Sequence, residues 1–512
     1  MQRCISKLCT LFISLSCITA LHAQRDLATL VGTVTDATGG VIVGAQVTVA
    51  EVGTGVVYTL TTSGTGEFVR PALKPSTYSV SAKAPGFRPA EQTGILLKSG
   101  ERTGINLTLS VGDATQSVEV SVASPLLQTE STTIGASVNE KALTEVPLGG
   151  QRNFLYLARL SPGVLPAEPG ARDSANGGVS GGGVRGNGQN NFLLNGVDNN
   201  VNTIDFLNQT SYAVGPSVEA IGEMTVLVNG TNAEYGRAAG VVVNVNLKSG
   251  TNQVHGSLFE NLQNRQLNAN SWTNNQGGKT RGPFIQNQFG ATLGGPIVKN
   301  KLFIFGDYQG TRIASSGGIL GLGFTNATGT IPTPAMKSGD FSSILGAGAT
   351  GTDINGNPIN FVKGMIYDPA STVGPATAPI SRSAFPNNRI PLSRMDPAFY
   401  KLIQQFPEPN QRIITGSQPT GDFFYNTPGS QQTDQGDVRV DYRLSEKDNL
   451  FGSMSWGNTS KSSVPPFPGA LDNSSFAGAG EIDLNRNGQI SYTRVWNPTI
   501  VSETRASFTR LV

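Results

Sequence analysis

Asp437-Val438-Arg439-Val440-Asp441-Tyr442-Arg443-Leu444 carries two opposed surfaces in eight residues. Val438, Val440, Tyr442 and Leu444 form one set, and Asp437, Arg439, Asp441 and Arg443 form the other. Only an extended strand, with successive side chains on opposite faces, separates such sets cleanly; a helix would scatter both around its circumference. An apolar face backed by a charged one suits a wall between lipid and a wet lumen. A soluble β-sandwich has the same period, so the neighbouring segments must decide.

The neighbours repeat the pattern. Leu450, Gly452, Met454 and Trp456 oppose Phe451, Ser453 and Ser455, and Phe289, Ala291 and Leu293 oppose Gln288, Gly290 and Thr292. Tight connections at Asn300-Lys301 and at Ser445 to Asp448 flank a long stretch, from about Ser315 to Thr433, rich in Gly, Ala, Thr and Pro. Short turns on one side and long loops on the other are expected of outer-membrane barrels. Phe303, Phe305, Tyr308, Trp456 and Trp496 are expected to supply interfacial aromatics. Asn487-Gly488, before alternating Gln489 to Val495, is expected to be a hairpin turn.

The N-terminus predicts export. Arg3 and Lys7 precede an apolar run from Leu8 to Ala20, and Ala23 offers a small residue for cleavage before Gln24. This reads as a secretory signal peptide over residues 1–23, too short for a helical span of roughly 20 apolar residues. Cys4, Cys9, Cys17 and His22 would leave with it. The mature chain then has no cysteine and one histidine, His255, which excludes a disulfide framework and Cys/His zinc sites. No catalytic residue, metal ligand or cofactor is assigned. Losing Arg3 and Lys7 lowers Lys+Arg from 37 to 35, equal to Asp+Glu at 35. That balance argues against a nucleic-acid partner.

Residues 24–110 alternate in short runs around Val31, Val47, Val80 and Leu107, separated by Thr38-Gly39-Gly40, Gly64-Thr65-Gly66 and Pro85-Gly86. Such runs predict a small β-sandwich. Gly32-x-Val34-x-Asp36-x-x-Gly39, Gly44-Ala45-x-Val47-x-Val49, Gly66-x-Phe68, Leu73-x-Pro75, Tyr78 and Gly86-Phe87 occur in that order. This pattern resembles the carboxypeptidase regulatory-like domain, a prealbumin-like sandwich without catalytic residues.

Beyond a linker at 111–130, residues 131–250 hold a predicted helix over Asn153 to Leu160 and a Gly/Asn-rich loop from Asn176 to Asn191. Phe192 to Asp198 reads as a strand entering a tight turn, and Val218 to Val228 as a short helix passing into a strand. Asn195-Gly196-Val197-Asp198, Ile221 to Val228, Tyr235-Gly236 and Val241 to Gly250 together resemble the plug domain of TonB-dependent outer-membrane receptors. His255 to Glu260, and Gly294-Gly295-Pro296-Ile297 before Lys301 to Phe305, resemble the Oar-like subgroup. The fold expected is mainly β: an N-terminal prealbumin-like sandwich, an α+β plug, and a partial antiparallel transmembrane β-barrel over 251–512.

The resemblance implies a plug-gated transporter energised by a TonB-type complex, seated in outer-membrane lipid and taking up an extracellular ligand such as a carbohydrate, peptide or chelate. Val118-Glu119-Val120 is the candidate TonB box, with a plain linker strand as the competing reading. The other function class is an outer-membrane adhesion or surface-organising protein with a carbohydrate-binding-like sandwich. Receptors of this kind have 22 strands, against about seven candidates after Gly250, so the sequence reads as a fragment.

Four motifs have plainer readings. Gly181-x-Gly183-x-x-Gly186 follows no apolar strand and opens no helix, so loop replaces dinucleotide fingerprint. Gly278-Lys279-Thr280 has Thr273 where a P-loop needs glycine. Asp483-x-Asn485-x-Asn487-Gly488 starts like a calcium loop but ends on Arg494 instead of glutamate; Asp353-x-Asn355-Gly356-Asn357 reads as turn chemistry. His255 is expected on a surface or facing the lumen, and Arg439 and Arg443, paired with Asp437 and Asp441, on a solvated lumen wall.

Overall fold

The computed structural model describes residues 27–112, 118–121, 134–146, 152–167, 178–183, 189–201, 212–229, 235–236, 239–270, 272–276, 281–316, 327–352, 356–374, 381–411, 421–425, 428–463, 467, 471 and 480–512. The expected signal peptide, Gly186, Gly278 to Thr280, Asp353 and Asn355 lie outside the described residues.

Nine short strands build the N-terminal sandwich: β1 (Ala28–Asp36), β2 (Gln46–Glu51), β3 (Val57–Thr61), β4 (Glu67–Leu73), β5 (Ser76–Lys83), β6 (Ala90–Leu97), β7 (Arg102–Gly104), β8 (Leu107–Leu109) and β9 (Val118–Ser121). One sheet runs β4-β1-β7 with β8 also on β1; the other runs β3-β2-β5-β6-β9. Alternate residues Val47, Val49, Val80 and Ala82 fill the space between them. Gly32 is required by close approach: a Cβ there would lie 1.8 Å from the Ile105 carbonyl oxygen. Ala84 to Phe87 closes a type II turn, with Pro85 second, Gly86 third at φ 81°, and the Phe87 amide donating to the Ala84 carbonyl.

Residues 134–247 supply β10 (Ile134–Asn139), β11 (Val164–Pro166), β12 (Val179–Gly181), β13 (Asn191–Leu194), β14 (Val197–Asp198), β15 (Ile221–Asn229) and β16 (Val242–Leu247). Five form a sheet ordered β10-β15-β16-β13-β14. The helix expected over Asn153 to Leu160 shrinks to one turn, Leu155–Ala158. Leu155 and Leu157 are buried under the sheet, but the Ser161-Pro162-Gly163 turn leaves no room for a second turn. Within the Gly/Asn-rich loop, β12 pairs with β11.

The C-terminal half forms one antiparallel sheet in sequence order: β17 (His255–Asn264), β18 (Phe284–Val298), β19 (Leu302–Ser316), β24 (Pro428–Arg443), β25 (Asp448–Ser463), β26 (Gly480–Asn497) and β27 (Ile500–Leu511). The described residues of the connection 317–427 are themselves folded. They include β20 (Ala327–Gly329), β21 (Gly348–Thr352), β22 (Pro358–Val362) and β23 (Phe423–Tyr425), with Ile331, Met336 and Phe385 buried among them.

The two faces of this wall obey the alternation. Leu258, Leu293, Val438, Met454, Ile482, Ile490 and Phe508 are exposed on the outer face. Gln288, Gln309, Arg439, Ser453, Asn487 and Gln489 are buried on the inner face, against the plug. Outward exposure of so much apolar surface is costly in water and favourable in lipid. No helix among the described residues is long and apolar enough to cross a membrane.

Two sequence readings are corrected. Asn487-Gly488 is not a turn: it lies inside β26, where Asn487 faces Ser455 and Gly488 faces Met454. Phe303 and Phe305 are not interfacial: they share the inner face with Gln309 and are buried, whereas Tyr308 and Trp496 are exposed on the outer face.

Candidate functional site at the junction of plug, wall and sandwich

Asn195 and Gly196 form the two-residue turn between β13 and β14, flanked by the Leu194–Val197 pair. Both have positive φ, 47° and 75°, which defines a type I′ hairpin and explains the Asn-Gly dipeptide. The Asn195 side chain is fully buried and fully used. Its Oδ1 accepts from the Leu247 amide at 2.9 Å and from Arg439 Nη1 at 3.2 Å, and its Nδ2 donates to Ser453 Oγ at 3.3 Å. The Asn195 carbonyl accepts from Arg505 Nη1 at 3.0 Å. One turn of the plug is therefore bolted to β24, β25 and β27 of the wall.

The remaining motif residues divide. Val197 is buried beside this turn, and Asp198 Oδ1 accepts from the Asn200 amide at 2.8 Å. Gly236 lies outside the sheet but is tethered to β13, its carbonyl accepting from Asn191 Nδ2 at 2.9 Å; Tyr235 is half-buried next to it. Val118, Glu119 and Val120 are elsewhere. They lie in β9, a parallel edge strand on β6 of the sandwich, with Ala90, Glu91 and Gln92 opposite.

Arg439 and Asp441 were expected on a solvated wall, and the structure corrects this. Both are buried, because the plug turn covers them. Arg439 grips Asp441 in a two-pronged pair, Nε to Oδ2 at 2.9 Å and Nη2 to Oδ1 at 3.1 Å. The geometry matches guanidinium to carboxylate. Ser249 Oγ donates to the same carboxylate at 2.8 Å.

The sandwich completes the junction. Lys74 Nζ stands 3.7 Å from Asp441 and 3.9 Å from Glu51. Burial opposes the charge on Lys74, but the Glu51 and Asp441 carboxylates outweigh it and hold the ammonium above its ordinary value. Arg70 and Arg443 bracket the Tyr58 ring at 4.0 and 4.9 Å, one guanidinium from each domain. Arg70 donates to the Glu446 carbonyl in the short β24–β25 turn, and Arg443 donates to the Val57 carbonyl. The sandwich thus docks on the short-turn rim.

Sandwich and plug also touch directly. Glu223 of β15 accepts from the Ser99 amide at 3.1 Å and from Ser137 Oγ at 2.5 Å. Burial pushes this carboxyl above its usual range, against the pull of those two hydrogen bonds. His255 opens β17 as an exposed residue, its Nδ1 near the Gln253 carbonyl.

Lys74, Ser453 and Arg505 carried no signal in the sequence that separates them from other polar strand residues. Asn195 did, through its turn chemistry.

A lipid-facing strand wall with a folded sheet seated against its polar inner face is the architecture of a plugged outer-membrane barrel. The chain belongs to the outer membrane beta barrel domain family, whose profile matches residues 246–512. Residues 29–110 match the carboxypeptidase regulatory-like domain. The chain is 28% identical over 264 residues to the TonB-dependent transporter Oar of Myxococcus xanthus, covering 49% of this chain and 23% of that protein. The match thus spans about a quarter of the length of that transporter. Among solved structures, the ferric enterobactin receptor of Pseudomonas aeruginosa is similar at TM-score 0.40 and 10% identity, over 75% of this chain and 42% of that one. The Escherichia coli outer membrane transporter YddB is similar at TM-score 0.36 and 10% identity, over 73% and 48%.

Proposed function

We propose that this protein acts in the outer membrane as a TonB-dependent receptor and transporter, with 24–110 as sandwich, 111–130 as linker with the TonB box, 131–250 as plug and 251–512 as barrel portion. The observation that carries the reading is the chemistry of the plug–wall contact. Apart from Phe305, which packs into the plug core, the named contacts are polar bonds, as at Asn195–Arg439, Gln435–Gly215 and Arg152–Gln288. Each neutral bond of this kind contributes only about 1 kcal/mol net, and one from a guanidinium about 1.5–3 kcal/mol, since water replaces it when the surfaces part. A plug seated this way is stable at rest and separable under a pull.

The pull would come through Val118-Glu119-Val120. This segment is held by backbone pairing at a sheet edge, the mode in which a partner protein adds or exchanges a strand. Ligand would enter from the side of the 317–427 connection, opposite the sandwich. A carbohydrate, a peptide and a chelate all remain chemical classes for it. The folding of that connection around Ile331 and Met336 also favours a second reading, a surface adhesin.

The test is accumulation of a labelled ligand pool by cells with and without an intact energy-transducing complex. Complex-dependent uptake supports transport. Ligand-independent cell attachment, unchanged when the complex is deleted, supports the adhesin and removes transport.

A further inference from the structure

The outward face of the wall carries arginines at two heights, and their charges are handled differently. At the short-turn end, Arg494 is paired with Asp448 at 3.2 Å, and its guanidinium lies 4.3 Å over the Trp496 ring. Toward the 317–427 connection, Arg312 is paired with Asp434 at 2.7 Å, and Tyr308 donates to the same carboxylate at 2.6 Å. Arg486 and Arg510 stand apart. Among the described residues neither forms an ion pair. Arg486 donates only through Nη1, to the Gly457 and Asn485 carbonyls at 3.0 and 2.7 Å, and the Arg510 side chain makes no hydrogen bond.

Both belong to one row. Tyr308, Gly436, Trp456, Arg486 and Arg510 are successive cross-strand partners on β19, β24, β25, β26 and β27. The two rows below it, through Val438, Met454 and Phe508 and through Val440, Ile490 and Ala506, are apolar. The Trp456 ring lies over Gly436, where a Cβ would meet its Nε1 at 3.0 Å, and stands 6.4 Å from the Tyr308 ring. Aromatic rings of this kind gather where hydrocarbon gives way to headgroups. The two arginines therefore stand at the upper edge of the lipid-facing band.

Like charges directly opposite on neighbouring strands repel, and hydrocarbon beside them screens less than water. An anion between them relieves the repulsion. Such neighbours start about 4.5–5.5 Å apart at Cβ, so both guanidiniums can reach one phosphate group. The Nη1 bonds hold the Arg486 guanidinium on the backbone and leave its Nε–Nη2 edge free. That edge is a fork that matches two phosphate oxygens.

We propose that Arg486 and Arg510 clasp the phosphate of a membrane lipid, in the leaflet on the side of the 317–427 connection. The lipid braces β26 against β27, the strand whose Arg505 holds the Asn195 carbonyl. The inference needs only that the wall faces lipid. It applies equally to a receptor and to an adhesin, so a failed uptake experiment leaves it standing.

The experiment uses the full chain purified from outer membranes in maltoside micelles, titrated at pH 7 with dihexanoyl phosphatidic acid. The unfolding midpoint is expected to rise. Dihexanoyl phosphatidylcholine, whose phosphate is balanced by its own choline, and inorganic phosphate at the same concentrations are expected to leave it unchanged. Arg486→Gln and Arg510→Gln are each expected to weaken the response about tenfold, through loss of a charge-assisted hydrogen bond. The double variant should lose the response, and Arg494→Gln at the other end should keep it. Equal responses to phosphatidic acid and phosphatidylcholine overturn the proposal and assign the two guanidiniums to protein carboxylates. An equal response to inorganic phosphate overturns the lipid as ligand. An undiminished response in the double variant overturns the site; should that variant fail to fold, undiminished responses in both single variants do the same.

Discussion

Asn195 and Arg439 lie 244 positions apart in the chain and meet at 3.2 Å, amide oxygen to guanidinium. The contact ties the turn of the plug to the fourth strand of the wall. Asn195 serves two purposes there, a left-handed backbone and a three-way side-chain anchor, and two substitutions separate them. Asn195→Gly keeps the turn and removes the anchor. It is expected to cost about 1–3 kcal/mol, because Arg439 and the Leu247 amide lose a buried acceptor. Asn195→Ala adds the left-handed penalty of roughly 1–2 kcal/mol. Thermal unfolding should rank wild type above Gly above Ala; equal midpoints for all three would remove the anchor.

Lys74→Met leaves Glu51 and Asp441 without their shared ammonium. The side chain is partly exposed, so screening limits the cost to about 1–2 kcal/mol. The expected result is a sandwich that loosens from the rim, seen as faster proteolysis between residues 110 and 134 while the plug stays protected. Unchanged proteolysis would show that the Tyr58 clamp suffices alone.

Glu223 gives the sandwich–plug contact a pH dependence. Its folded carboxyl titrates above the ordinary 4.5, chiefly through burial. Between 4.5 and that raised value the folded state holds a proton that the unfolded state has released, so stability falls as pH rises through this window. Glu223→Gln removes the loss and keeps one acceptor oxygen for Ser137 or Ser99. The variant should unfold at a higher temperature than wild type at pH 7, and at the same temperature below pH 4.5. A variant less stable at pH 7 would refute this.

Val120→Pro removes a backbone donor from β9 and blocks strand pairing. Energy-dependent uptake should be abolished while outer-membrane insertion and any cell attachment persist. Uptake at wild-type rate would place the TonB box elsewhere.

Ile490 and Gln489 are neighbours on opposite faces of β26. Arginine at Ile490 faces lipid, with an expected cost of about 2–4 kcal/mol near the membrane midplane. Folding into lipid vesicles should therefore fail or slow for Ile490→Arg. The exposed, already polar Ser462 at a strand end should tolerate the same change. Equal folding of both would mean the exposed apolar face does not meet lipid.

The alternation over Asp437 to Leu444 revealed the wall because lipid imposes a strict apolar period on one face. The Asn-Gly turn at 195–196 was legible because its backbone angles demand those residues. The same dipeptide misled at 487–488. A wet inner face tolerates turn-forming residues in mid-strand, and Asp483, Asn485, Asn487 and Gln489 keep the period of two that should have outweighed it. The burial of Arg439 and Asp441 was not legible, because it depends on a turn more than two hundred residues away. Phe303 and Phe305 looked interfacial by type alone, and their parity with Gln309 was the missed clue. The sandwich was legible from its ordered glycines, but the role of Lys74 arises only from docking.

Those two phenylalanines sit on the same side of one strand, two residues apart, yet they complete different interiors. Phe303 belongs to the apolar core of the sandwich and Phe305 to that of the plug. Each N-terminal interior thus includes one side chain supplied by the β18–β19 hairpin of the wall. The packing of sandwich and plug is thereby linked through one strand of the wall: a change that shifts β19 disturbs both interiors at once.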